Sequence, residues 1–298
     1  MNDMGIFELR MSGGGPLRLA LFTDLHYNGE APLSAALTNF FMRRNVRRLE
    51  PDLVAVLGDT AIVPDNRKRT RAFVNTMDGM GVPWTAVLGN HEGEHERDLP
   101  RREVIEYYQE SERFLGNAEL PGVTGSGNQA IAVINEEGKA AQLLYFLDSG
   151  GGRRGHGHIQ PDQLDWLARA ASKYPDTPGV VFFHVPIQQY QDALEAWEKG
   201  EAQLLHGASH EKICPGGTRA QGGALLERAR ALGIWAIVCG HDHYNSFDIL
   251  WRGMRYVYAQ GSGYSFRVYG IPLHRVRGCT ALDIFPDGRV EVGQWFNL

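Results

Sequence analysis

Leu17-Arg18-Leu19-Ala20-Leu21-Phe22-Thr23-Asp24-Leu25-His26 is the stretch that decides the fold. An apolar run with the length of a buried strand stops abruptly at a carboxylate and an imidazole, side chains that bind metals rather than fill cores. The same event recurs four more times. Leu53–Leu57 runs into Gly58-Asp59, residues 84–88 into Gly89-Asn90-His91-Glu92, residues 180–183 into His184, and Ile234–Cys239 into Gly240-His241-Asp242-His243.

Helical patterns lie between these runs. Residues 34–49 read as an amphipathic helix with Leu37, Phe40 and Phe41 toward the core, Arg43, Arg44, Arg47 and Arg48 largely elsewhere, and Pro51 as its stop. Residues 67–80 read as a second helix closed by Gly81 and Pro83. Residues 161–174 read as a third, with Pro161 in the first turn and Leu164, Trp166 and Leu167 toward the core. Strand alternating with helix predicts an α/β fold whose strands are buried on both faces. After His243, residues 255–258, 280–285 and 289–295 read as strands without helices between them, and Pro286-Asp287-Gly288 joins the last two as a hairpin. A second, mixed or antiparallel sheet is expected from them.

The chain has 298 residues, 43% hydrophobic and 22% charged, which excludes disorder, collagen-like repeats and coiled coils. A net charge of −5 gives no global field for nucleic acid or anionic membrane, so neither is expected as a partner. Cys214, Cys239 and Cys279 form no C-x-x-C pair and fit a reducing compartment. With neither a signal peptide nor an apolar span in view, the expectation is a soluble, cytoplasmic protein. One domain over 1–298 is expected, with 1–16 as a lead-in. Residues 92–127, carrying a helix at 101–115, and residues 188–223, a helix followed by a Gly-rich loop, read as inserts at the rim of a site.

Ligands in α/β sheets sit outside the carboxyl ends of the strands, where all five polar endings lie. Asp24 with His26, and His241 with His243, are spaced by two, so an extended backbone would project each pair to one side. Carboxylate and imidazole suit zinc, manganese and iron, and the Asn90 carbonyl suits harder ions. Seven candidate ligands are too many for one ion. Two ions about 3.5–4 Å apart sharing one carboxylate would use them all, the arrangement that serves displacement at phosphorus by a hydroxide bridging the ions.

The set Asp24-Leu25-His26, Gly58-Asp59, Gly89-Asn90-His91-Glu92, His184 and Gly240-His241-Asp242-His243, in this order, resembles the calcineurin-like metallophosphoesterases. The resemblance implies a four-layer αββα sandwich with two mixed β-sheets flanked by helices. It implies that Asp24, His26, Asp59 and His243 hold one divalent ion (manganese, iron or zinc) and Asp59, Asn90, His184 and His241 the other, with His91 contacting substrate or protonating the leaving oxygen. The implied substrate is a small phosphomonoester or phosphodiester. Residues 145–150, Gln163-Leu164-Asp165-Trp166, Phe183-His184-Val185-Pro186 and residues 211–215 resemble the purple-acid-phosphatase-like branch. Purple members carry Tyr three residues after the bridging Asp and Gly at the position of His26. Ile62 and His26 stand there in this chain, which implies a site without the purple tyrosinate.

Other groups read more blandly. Asp148 reads as a supporting or helix-capping group. His156 and His158 are read as part of a mobile loop, and His206, His210 and Cys214 as too few for a structural zinc site. Residues 216–223 lack the ending of a phosphate-binding loop and read as a flexible lid before a helix. Tyr244 and Tyr264 either stack on substrate or pack at strand ends. Two rival functions stand beside the phosphoesterase: a metal-bound interaction scaffold, and a nuclease, which would want a basic groove beside the metals.

Overall fold

The polar endings come from two different sheets. A computed structural model describes residues 4–11, 14–27, 32–63, 65–152, 156–264 and 277–296. Residues 153–155 of the His156 loop, and parts of the lead-in, lie outside the described residues.

The first sheet has five strands: β2 (Leu17–Phe22), β3 (Leu53–Leu57), β4 (Trp84–Val87), β12 (Gly278–Ile284) and β13 (Val290–Phe296), in the order β13-β12-β2-β3-β4. β2, β3 and β4 run parallel, and the β12–β13 hairpin adds antiparallel to β2. The second sheet has eight: β1 (Ile6–Arg10), β5 (Gln129–Ile134), β6 (Ala140–Phe146), β7 (Gly179–Phe182), β8 (Gln203–Ala208), β9 (Ile234–Cys239), β10 (Ser246–Trp251) and β11 (Met254–Tyr258), in the order β1-β5-β6-β7-β9-β11-β10-β8. Both sheets are mixed.

The alternating faces of the strands build the layers. On β2, Leu17, Leu19 and Leu21 enter a core shared with Leu144, Phe146, Val180, Phe182 and Val238 of the facing sheet. Ala20 and Phe22 point the other way, into a core closed by α1 (Pro32–Leu49), α2 (Arg67–Asp78) and α3 (Arg101–Tyr108). The outer face of the larger sheet is covered by α4 (Pro161–Ala171), α5 (Gln189–Glu198) and α6 (Arg219–Ala231). Strands buried on both faces explain why the runs read as continuously apolar. The result is the expected αββα sandwich.

Several expectations need correction. α1 buries Thr38, Met42, Asn45, Val46 and Leu49, while Leu37 and Phe40 are exposed. Apolar residues surround this helix, so periodicity alone did not choose its inner face. Met254–Tyr258 joins the larger sheet, parallel to β9, instead of the sheet of the C-terminal hairpin. The lead-in contains β1, which pairs with β5. The insert 188–223 contains β8, an edge strand too polar to stand out, and the supposed lid becomes helix at Arg219. Thr218-Arg219-Ala220-Gln221 is a capping box, the signal that could have placed this start. The helix expected at 101–115 ends at Tyr108.

Candidate metal centre

All five endings meet where the two sheets abut. β2, β3 and β4 bring Asp24 with His26, Asp59, and Asn90 with His91; β7 and β9 bring His184, and His241 with His243. The loops are stitched to one another: Asp24 N–H donates to the Gly58 carbonyl (3.2 Å), His26 N–H to Asp59 (3.0 Å) and Gly240 N–H to His184 (3.1 Å).

The expected extended projection is not what aims the ligands. Asp24, His26, Asp59 and His241 have φ of 55°, 47°, 53° and 87°. Such left-handed conformations are uncommon outside glycine and cluster at functional sites, because only tertiary contacts hold them. The chain therefore turns at each ligand. Gly89 makes room for one of these turns: a Cβ there would collide with the Asp59 carboxylate.

Two triads of donor atoms result, Asp24/His26/His243 and Asp59/His184/His241, each with its atoms within 4.8 Å of one another. Asp59 also forms a third group with His26 and His91, linking the two halves. His26 Nε2 lies 3.5 Å from Asp24 Oδ1 and 3.6 Å from Asp59 Oδ2. His243 Nε2 is 3.7 Å from Asp24 Oδ1, and His184 Nε2 is 3.1 Å from Asp59 Oδ2. The second atoms are anchored. Asp24 Oδ2 accepts from Thr23 Oγ1 and His241 N, Asp59 Oδ1 accepts from His91 N, and His184 donates Nδ1–H to the Leu57 carbonyl at 2.6 Å. Asp24 Oδ1, Asp59 Oδ2, Asn90 Oδ1, His184 Nε2 and His241 Nδ1 are buried without a hydrogen bond. Orphaned polar atoms are costly, and four of these five belonging to the two adjacent triads fit the place of cations. The oxygen and nitrogen donors present suit two divalent ions.

The electrostatics agree. Burial pushes the Asp24 and Asp59 carboxyls up, but the facing imidazoles overturn this and hold both below the usual range. Burial pulls His184 down, yet Asp59, Asp24 and the Leu57 carbonyl carry it up to about 10. Burial, with His184 alongside, pushes His241 down to about 3, and burial takes His243 to about 4 against the pull of Asp24. His91 is raised, because Asp59, Glu94 and Glu92 outweigh its burial.

A supporting layer fixes the loops. Glu92, buried, accepts backbone N–H groups from Asp59 (3.1 Å), Thr60 (2.6 Å) and Gly89 (2.7 Å). Asp148 is a supporting group and not a helix cap: it accepts from Ser126 N and Gly150 N and pairs with Arg101, whose guanidinium reaches the Gly89 and Glu92 carbonyls. Arg277 donates to the His243 carbonyl at 2.8 Å.

A cavity of about 350 Å³ opens over the centre, lined by Asp59, Asn90, His91, His241 and His243, and also by Glu94, Gly152, His156, Glu211, Cys214 and Asp242. His156 packs edge-on against His241, at 4.3 Å between centroids, so this loop residue belongs to the rim. His158 instead contacts Gln160 and Gln221. Glu94 was missed, since an isolated glutamate in a polar insert carries no pattern, and Glu211 stood in the resembling segment 211–215 without a role of its own. Tyr244 and Tyr264 are not among the lining residues: Tyr264 stacks on Phe41, and Tyr244 lies beneath the Arg277 guanidinium. Among the described residues, His206, His210 and Cys214 do not converge; His206 sits on β8 opposite Asp248.

A sandwich of two mixed sheets with histidine and aspartate triads at its strand ends defines a dimetal phosphoesterase class, and comparison with known proteins agrees. The chain belongs to the calcineurin-like phosphoesterase family, whose sequence model matches residues 17–245. It is 25% identical to "Probable inactive purple acid phosphatase 14" of Arabidopsis thaliana over 88% of this chain and 74% of that protein. It is 24% identical to "Phosphatase DCR2" of Saccharomyces cerevisiae over 82% of this chain and 47% of that one. A dimetal phosphatase from Danio rerio shares the fold, with a TM-score of 0.64 at 16% identity, covering 95% of this chain and 97% of its own. No helix among the described residues is long and apolar enough to cross a membrane.

Proposed function

We propose that this chain is a dinuclear metal-dependent phosphoesterase acting on phosphomonoesters or small phosphodiesters. One observation carries the reading: two largely buried donor triads lie side by side, linked through Asp59 and His26, with Asp24 Oδ1, Asp59 Oδ2 and His241 Nδ1 among their buried atoms without a hydrogen bond. Asp24, His26, Asp59 and His243 would hold one ion, and Asp59, Asn90, His184 and His241 the other. Bound there, manganese, zinc or ferrous ions supply an acidified water as nucleophile and offset the charge of the phosphate.

The protein's own part is orientation. Leu57 fixes the tautomer of His184, Thr23 and the His241 amide fix the Asp24 carboxylate, and the His91 amide fixes that of Asp59. Such outer contacts normally decide ligand aim and metal affinity. His91, with Nε2 3.8 Å from Asp59 Oδ2 and its ring in the cavity wall, is placed to give a proton to the departing ester oxygen. A volume of about 350 Å³ suits a small phosphorylated molecule. Three free thiols support a reducing compartment such as the cytoplasm.

A scaffold without catalysis is the second reading, favoured by the word "inactive" in the names of the Arabidopsis relatives. Against it stands a complete ligand set together with His91. The nuclease reading lacks support, because no Lys or Arg is among the described residues lining the cavity. Metal analysis of the purified protein combined with turnover of a panel of phosphomonoesters and phosphodiesters tests all three. About two ions per chain and hydrolysis of small esters are expected; two ions without turnover would establish the scaffold, and no ions would overturn the site.

A further inference from the structure

We infer that Glu94 is the positioning residue of His91: it grips the imidazole at Nδ1 and turns Nε2 toward the reacting ester, so that the site can expel alkoxide leaving groups. This rests on the phosphoesterase reading above.

Glu94 Oε2 contacts His91 Nδ1 directly. The intervening Gly93 has φ 84°, and Glu94 N–H donates to the His91 carbonyl at 3.3 Å, so a tight turn folds the glutamate back over the ring. His91 is fixed at two further points. Its backbone N–H donates to Asp59 Oδ1 at 2.9 Å, and its ring meets His26 edge-on with centroids 5.2 Å apart. Nε2 is the nitrogen left facing the centre.

The other carboxylates nearby are committed elsewhere. Asp24 and Asp59 face imidazoles, Glu92 takes three backbone amides, and Asp242 takes the Tyr258 hydroxyl (2.5 Å) and the Cys214 N–H (3.1 Å). Glu94 belongs to neither donor triad, and both it and His91 line the cavity. A carboxylate holding Nδ1–H fixes the ring and makes Nε2 the exchangeable site.

The step balances as follows. The oxygen of a water forms a bond to phosphorus while the ester P–O bond breaks, and the departing oxygen takes the proton on Nε2. His91 is left neutral, keeping its Nδ1 proton, which it donates to the Glu94 carboxylate, and the proton shed by the water returns to Nε2 through solvent. The sum is ester plus water giving phosphate plus alcohol. An alkoxide cannot leave without that proton, whereas p-nitrophenolate leaves as the anion. The substrate class inferred is therefore phosphate esters of aliphatic alcohols.

The test compares glycerol phosphate with p-nitrophenyl phosphate on metal-loaded protein. Glu94→Gln is expected to lose at least about tenfold more on glycerol phosphate, within the range that general acid catalysis supplies. Glu94→Asp should recover part of that loss. His91→Ala should show the same bias, and the double variant no more than His91→Ala alone. A second readout needs no turnover: in ¹⁵N-histidine spectra of the metal-free protein, the His91 Nδ1 proton should be strongly deshielded in wild type and shift in Glu94→Gln. Equal losses on both esters, an unmoved His91 signal, or a Glu94→Gln protein with fewer ions than wild type would overturn the inference. Wild-type protein that turns over neither ester would instead overturn the phosphoesterase reading, and the spectra would still decide the Glu94–His91 contact.

Discussion

Replacing Glu92 with glutamine keeps the shape of the side chain and removes half of its accepting capacity. Oε2 takes the N–H groups of Asp59 and Gly89, and Oε1 takes that of Thr60. The best placement of the amide keeps oxygen on the Asp59 and Gly89 side and leaves NH₂ against the Thr60 N–H, donor to donor. One buried donor loses its partner, at about 1–3 kcal/mol, and two charge-assisted bonds become neutral, at about 1 kcal/mol each. An opposing gain exists: burial and the nearby Asp59 raise the Glu92 pKa, so removing its charge relieves repulsion. The net expectation is about 2–4 kcal/mol of destabilisation. At about 2.1 cal/mol/K per residue over 298 residues, this lowers Tm by about 3–6 °C. The assay is thermal unfolding of the metal-free protein, where no loss of ions confuses the result. Because the same amides fix the Asp59 and Asn90 loops, metal affinity should fall about 10–100-fold in parallel. A Tm within about 1 °C of wild type would refute the reasoning, showing that the loops hold their turns without Glu92.

Three further outcomes follow from the site. Asp59→Asn should lower metal content and turnover together, because the linking carboxylate has no substitute nearby; full occupancy with full activity would discard its bridging role. Uptake of an ion at Asp59/His184/His241 should release a proton, since the metal-free His184 has its pKa raised to about 10 and is protonated at neutral pH. Affinity should therefore rise with pH up to about 10, and calorimetry in buffers of different ionisation enthalpy measures the proton. Iron-loaded, oxidised protein should show no tyrosinate charge-transfer band, because Ile62 cannot ligate and the Tyr27 hydroxyl is held by Asn39 at 2.5 Å; a strong visible band would sink this.

The ligand-bearing endings were legible because a buried strand stops being apolar only where something compels it, and five such stops in one chain are hard to miss. The helix boundaries at Pro161 and the β12–β13 hairpin were legible from local turn chemistry. What the sequence did not show was long-range. Val54 and Val56 look the same as Leu53 and Leu57, so a run buried on both faces does not say which sheet it joins. The left-handed turns at Asp24, His26, Asp59 and His241 are imposed by contacts with other loops, so the residues that gather at the strand ends were readable while the way they are aimed was not. Glu94 and Glu211 reach the cavity only through the folding of inserts, and His156 through that of the loop before α4, segments whose own composition is that of ordinary surface.

The division of the site between two sheets has a further consequence. Asp24 and Asp59 stand at the ends of strands in one sheet, His184, His241 and His243 in the other, and the contact between His26 and His243 joins residues 217 positions apart. Neither donor triad is therefore complete within one sheet; each closes only where both halves meet on their shared apolar interior. An ion seated there would act as a rivet across the seam, resisting any sliding of one half against the other. The protein would then be a reporter of its own completion, acquiring metal as the last event of assembly and giving it up as the first sign of opening.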